Sequence, residues 1–239
     1  MKITKIRLIK FGIVLIVFSF IFLKKDNSFS SINIDIETNG FRQYIDSTYI
    51  LQSCDILEPY INSEKRSDIN IKLLEDNITQ LDYVSNAEVY LQDDNLTILI
   101  EQNNPFLRLG ESYYLNKDGE KILASNNNFA DVLFFSGEIG ADKFKEICLL
   151  ANYIYQDDFM NSLVKGIHYD EDVGYVFYPR LFDIQILFGD MSSVKTKFRK
   201  INLFYNKIAK SPKIIDGAGN ILIDRVNVKY SGQIICQKK

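Results

Sequence analysis

A single histidine (His168), three cysteines (Cys54, Cys148 and Cys236) and three runs of neighbouring acids are the first candidates for chemistry in this 239-residue chain. A catalytic histidine needs a partner that orients it and a substrate within hydrogen-bond reach. His168 falls in a strand-like stretch and reads as structural. The cysteines lie about 90 residues apart, and no CxxC or His/Cys cluster brings any of them to zinc spacing. Cys148 sits on an apolar helical stripe and reads as core. The acids Asp93-Asp94, Asp157-Asp158 and Asp170-Glu171-Asp172 supply the residue type that glycosidases use in pairs. Each falls where a turn is expected, so a solvated loop is the simpler reading. Asn116, Asp118 and Gly119 have part of the pattern of a calcium loop, but Tyr114 would stand at its first position and the closing glutamate is missing. That stretch also reads as a turn. No Gly-x-Ser-x-Gly elbow and no phosphate-cradling glycine loop occurs. The expectation is therefore no catalytic residue, no cofactor, no metal and no small-molecule substrate.

Charge excludes a further class. Six of the 28 basic residues lie in the first 25 positions, which hold no acid, leaving 22 basic residues against 31 acids in the rest. A nucleic-acid binder needs a basic surface to neutralise phosphates, so no nucleic acid is expected as a partner. One local exception is the run Lys195, Lys197, Arg199, Lys200, Lys207 and Lys210, which gives a helix over 192–210 a basic face. A solvated face is the plain reading; docking of an acidic partner or of anionic lipid is the functional one.

The elements that would position these groups follow from periodicity. Ile32, Ile34 and Ile36 alternate and predict a strand over 31–37. Asp46 or Ser47 can cap a short helix to Cys54. Ile71, Leu74, Ile78 and Leu81 predict a helix over 69–81. Strands are expected at 87–91 and 96–101, with a turn at Asp93-Asp94-Asn95. Gln102-Asn103-Asn104-Pro105 is polar and ends in a proline that interrupts a ladder, so a domain boundary is placed there. Beyond it, short strands are expected at 106–109, 112–115, 121–123, 131–135, 166–169, 174–178 and 183–188, with helices over 141–156 and 192–209. Two closing strands at 221–230 and 233–237 complete an α+β pattern with a β-rich second half.

At the other end, residues 8–23 read LIKFGIVLIVFSFIFL. The uncharged part is short for a span of about 20 residues, but Lys10 and Lys24 can snorkel from its ends. Basic residues before it place residue 1 in the cytoplasm and Asp26 onward across the membrane. The expectation is a single uncleaved anchor; the rival is a signal peptide cut near Ser28 or Ser30.

Several stretches now resemble one family. Leu81-Asp82-Tyr83-Val84-Ser85-Asn86-Ala87-Glu88-Val89 is similar to an x-P-x-V-x-x-A-x-V pattern, without the proline. Leu96 to Pro105 resembles a strand ending in a Glu-Arg-x-Pro corner, without the arginine. Tyr113 to Gly119 resembles a D-x-x-G hairpin. Ile184 to Gly189, Lys197 with its helix, Ile223 to Tyr230 and Gln233 to Lys238 follow the closing pattern. On their order and spacing the chain is identified as a member of the FtsQ/DivIB cell-division proteins, and its residue usage resembles versions from the Bacteroidetes.

That resemblance implies an N-terminal tail and transmembrane helix (1–25), a POTRA-like βααββ domain (26–104) and a C-terminal β-rich domain (105–239). It implies an inner-membrane, single-pass divisome scaffold at the septum, not an enzyme, with a periplasmic bulk that binds FtsB-like and FtsL-like proteins and helps regulate septal peptidoglycan synthesis. The alternatives are a POTRA-containing assembly or secretion factor and an anchored periplasmic cell-wall enzyme. The implied partner-binding residues are Val226, Val228, Tyr230, Gln233 and Ile235, on closing strands whose edge a partner segment could extend.

Overall fold

The structure, a computed structural model, describes residues 31–57, 69–92, 95–124, 129–209 and 211–239. The expected anchor over 8–23, its cleavage alternatives, the acids Asp93 and Asp94, and Lys210 lie outside the described residues. Among the described residues, no helix is long and apolar enough to cross a membrane. The chain divides into two compact units between Asn103 and Asn104.

The first unit runs β1 (Ser31–Glu37), α1 (Ser47–Ser53), a 3-10 turn (Asp55–Leu57), α2 (Ile71–Thr79), β2 (Val84–Gln92) and β3 (Asn95–Gln102). Asp46 caps α1 by accepting from the Tyr49 N–H at 2.7 Å, and Asn70 caps α2 through the Leu73 N–H at 3.1 Å. The sheet order is β1-β3-β2, with β1 parallel and β2 antiparallel to β3. A parallel pair needs a crossover, and the two helices supply it. Ile50, Leu74 and Ile78 from the helices are fully buried, as are Leu96, Ile98 and Ile100 on one face of β3. The irregular backbone between β1 and α1 is satisfied by one buried side chain. Gln102, 2% exposed, accepts from the Tyr44 N–H at 2.6 Å and donates to the Arg42 carbonyl at 3.0 Å. Tyr83, stacked on Tyr44 with ring centroids 5.8 Å apart, has a φ of 66°.

The second unit holds β4 (Leu107–Leu109), β5 (Tyr113–Leu115), β6 (Lys121–Leu123), β7 (Leu133–Ser136), a 3-10 turn (Ala141–Lys143), α3 (Phe144–Tyr155), α4 (Asp158–Leu163), β8 (Val164–Asp170), β9 (Gly174–Pro179), β10 (Gln185–Gly189), α5 (Val194–Leu203), a π turn (Phe204–Ile208), β11 (Ile223–Asn227) and β12 (Ile235–Lys238). Its nine strands form one sheet in the order β12-β11-β10-β9-β8-β7-β4-β5-β6. The parallel pairs β7/β8 and β10/β11 are bridged by α3–α4 and by α5. One sheet face and all three helices share a single core. Phe135, Ile167, Phe177, Ile186 and Val226 occupy successive strands by register and meet Ile147, Ile154, Phe198 and Ile201 from the helices.

Three expectations needed correction. The helix over 141–156 begins as a 3-10 turn and is followed by α4, because Asp157 accepts from the Met160 N–H at 3.0 Å and starts a new helix where a turn was expected. The helix over 192–209 begins only at Val194, since Ser193 is left-handed, and ends in the π turn. The strand over 221–230 is regular only from Ile223 to Asn227. Ile221 bridges Ile215 instead, and the carbonyls of Val228 and Tyr230 are taken by a lysine.

Candidate functional site

Several of the groups singled out for chemistry have structural partners. His168 Nδ1 lies 2.9 Å from the Ser136 hydroxyl and its ring meets Tyr178 edge-on. Cys148 is buried, and its thiol donates to the Asn116 carbonyl at 3.3 Å. Asp157 caps α4, while Asp170 closes a turn by accepting from the Asp172 and Val173 N–H groups. Asn116 Oδ1 accepts from the N–H groups of Asp118 and Glu120, which makes its loop a self-contained turn. Among the described residues, no three His, Cys, Asp or Glu side chains stand together as a metal site. A polar cleft of about 480 Å³ lies beside Lys143, Glu146, Tyr169, Tyr175 and Asp190. Its polar groups already answer one another: Tyr175 donates to Glu146 at 2.5 Å and Lys143 to Tyr169 at 2.8 Å. Burial first, and the Glu146 carboxylate second, push the Tyr175 hydroxyl well above its ordinary range.

The basic run on α5 separates into two kinds of lysine. Lys195, Arg199 and Lys207 are exposed. Lys197 is only 3% exposed and holds Asp190 Oδ1 at 2.7 Å and the Asp190 carbonyl at 2.8 Å. Its ammonium also lies 4.8 Å from the Phe188 ring centroid. The hydrogen bonds from Lys197 and Ser192 hold the Asp190 carboxyl down to about 2. Lys200 reaches across to the closing segment and donates to the Val228 carbonyl at 2.9 Å and to the Tyr230 carbonyl. These two lysines anchor elements of the fold, Lys197 from a buried position and Lys200 from a half-buried one.

The closing strands divide in the same way. Val226 and Val228 are 1% and 0% exposed and belong to the core. β11 is interior, paired with β10 on one side and β12 on the other. The Val228 N–H is itself taken by the Leu187 carbonyl at 3.1 Å. β12 is the edge of the nine-stranded sheet, so alternate residues turn their N–H and C=O groups to the open side. Around it, Tyr230 is 50% and Ile235 44% exposed, and Gln233 is exposed. The structure thus brings Tyr230, Gln233 and Ile235 together at one open edge and buries the two valines behind it. Lys200 was read in the sequence as part of a solvated face. Nothing local marks it as an anchor, because its partners lie 28 and 30 residues further on.

The described residues form a mixed α+β protein whose second unit ends in the edge strand β12. The family described as "FtsQ/DivIB, C-terminal related" matches residues 104–237, and the chain belongs to that family. Membership suggests a role in cell division. None of the curated proteins compared matches the chain.

Proposed function

We propose that the protein is a non-enzymatic divisome scaffold, anchored in the inner membrane through residues 8–23, whose second unit binds FtsB-like and FtsL-like partners at the septum and so helps regulate peptidoglycan synthesis there. The observation that carries the reading is the unpaired edge of β12 with Tyr230 and Ile235 exposed beside it. A partner strand added to that edge gains main-chain hydrogen bonds. A half-exposed tyrosine offers a large contact area with a polar tip, the kind of side chain that dominates interfaces. In this reading Val226 and Val228 serve the interface only by holding β11 in register behind the edge. The first unit, with its β-α-α-β-β order and β1-β3-β2 sheet, is POTRA-like on this proposal. The alternative of an assembly or secretion factor rests on that likeness alone.

The test is co-expression with the FtsB-like and FtsL-like proteins of the host, scoring copurification of wild type and Tyr230→Asp. Retention by wild type and loss by the variant supports the reading. Equal retention removes the closing edge from it, and no retention by folded wild type removes the partner assignment.

A further inference from the structure

The face of the first unit's sheet that turns away from its helices carries a charge pattern with no counterpart among the described residues. By strand register this face holds Asn33, Asp35 and Glu37 from β1, Thr97, Leu99 and Glu101 from β3, and Glu88 and Tyr90 from β2. The hydrogen bond from Ser31 Oγ to Asn95 Oδ1, 2.9 Å, confirms which side chains share it. Four of these residues are carboxylates, and no lysine or arginine stands on the three strands. Glu37 and Glu101 are direct cross-strand neighbours, an arrangement that destabilises a sheet. None of the four forms an ion pair among the described residues; Glu101 alone has a side-chain partner, the Asn39 amide at 3.3 Å.

Two further observations point to an occupant. Leu99, 36% exposed, has Asp35 beside it on one strand and Glu88 on the other, and Tyr90, 41% exposed, lies next to it across the diagonal. The face thus has an apolar centre inside an acidic rim. Thr97 stands between Asn33 and Tyr90 and is 6% exposed. Its hydroxyl, on this face by register, has no hydrogen-bond partner among the described residues. Asp35 and Glu88 flank β3 two strand spacings apart, about 9.6 Å, too far to share one ion, so a metal does not explain the rim.

We propose that this face docks a basic, apolar segment of a partner protein, with an aliphatic side chain seated on Leu99 and Tyr90 and flanking lysines or arginines reaching the four carboxylates. The incoming cations would relieve the repulsion between Glu37 and Glu101, for which no described residue supplies a counterion. The surface is independent of the β12 edge, so failure of one assignment leaves the other standing.

The test titrates a fluorescent Lys-Leu-Lys-Leu-Lys-Leu-Lys peptide with the full chain, following anisotropy and backbone amide shifts. One variant neutralises the face (Asp35→Asn, Glu37→Gln, Glu88→Gln, Glu101→Gln). A control removes the same charge elsewhere (Glu138→Gln, Asp158→Asn, Glu171→Gln, Asp172→Asn). A third variant is Leu99→Ser. The expected result is binding at least tenfold weaker in the face variant, several-fold weaker in Leu99→Ser and unchanged in the control, with shifts confined to residues 33–37, 86–90 and 97–101. The thermal midpoint of the face variant should equal or exceed that of wild type. Equal losses in face variant and control, shifts elsewhere, or a lowered midpoint in the face variant would overturn the proposal.

Discussion

Replacing Lys200 with methionine removes one ammonium and leaves most of an unbranched stem in place. In the wild type that ammonium donates to the Val228 carbonyl at 2.9 Å and to the Tyr230 carbonyl. Val228 is fully buried, so its carbonyl would lose a charge-assisted bond where water replaces it poorly, at about 1.5–2 kcal/mol. Tyr230 is 50% exposed and water can take its carbonyl, which reduces the second loss to about 0.5–1 kcal/mol. The sum is about 2–3 kcal/mol, and its effect should be local. The two bonds hold the segment that leads from β11 into β12, whereas β10 keeps its ladder to β9. Opening of the closing hairpin should therefore become about 30- to 150-fold more frequent, since each 1.4 kcal/mol is a factor of ten. Amide hydrogen exchange reads this directly: Ile235 and Gln237 should lose protection by that factor while Ile167 and Phe177 keep theirs. Partner binding at the β12 edge should weaken in parallel, because the edge would need ordering before it could pair. Lys200→Arg keeps the charge in a different geometry and should recover part of the protection. Unchanged exchange at β12 in Lys200→Met, or a uniform loss across the second unit, would refute the idea that Lys200 positions this hairpin.

Asp190 should contribute to acid stability. Its folded value of about 2 lies below the ordinary 3.8, so the contribution is complete above pH 4 and is lost as pH falls from about 4 to about 2. With its side chain 75% exposed the effect is screened to under about 1 kcal/mol; pH-dependent denaturation should show a shallower acid limb in Asp190→Asn. Burial pushes the Cys148 thiol up to about 11, so it should resist maleimide at pH 8 until the protein unfolds, as peptide mapping will read. Cys236, on the edge strand and half-buried, should be alkylated in the free protein, more slowly than an open thiol, and be protected when a partner covers β12. Tyr83→Pro should destabilise the first unit by about 3 kcal/mol or more, because a ring fixed near −65° cannot adopt the left-handed backbone found there; the readout is the denaturation midpoint, and an unchanged midpoint would refute it.

Local signals in the sequence held best where structure is local. The alternation of Ile32, Ile34 and Ile36 and the Asp46 cap gave the bounds of β1 and α1 almost to the residue. The turn at Asn116 follows from its own side chain, which bonds two backbone N–H groups within four residues. The misreadings arose where one residue type serves two purposes. Asp157 and Asp158 suit a turn and a helix start equally well. The Lys195–Lys210 run looks like a solvated stripe because charge spacing says nothing about which ammonium finds a distant carbonyl. Lys197 and Lys200 are three apart on one helix and still answer to partners on either side of it, Asp190 before and Val228 after.

The candidate edge shows the same limit in sharper form. Residue types identify two strands within 221–237, and a hairpin joined to a sheet can leave either of its strands outermost. Which strand is the edge depends on β11 entering the sheet parallel to β10, a choice made by the α5 crossover and by burial of Val226 and Val228 against Ile186 and Phe198. Once β11 is committed to β10 on one side and β12 on the other, its valines cannot meet a partner, and only β12 and the turn before it stay open. The resemblance named five residues as one interface. The sheet order separates them into two buried in the core and three exposed on or just before β12, and Lys200 bonds to the carbonyls of Val228 and Tyr230.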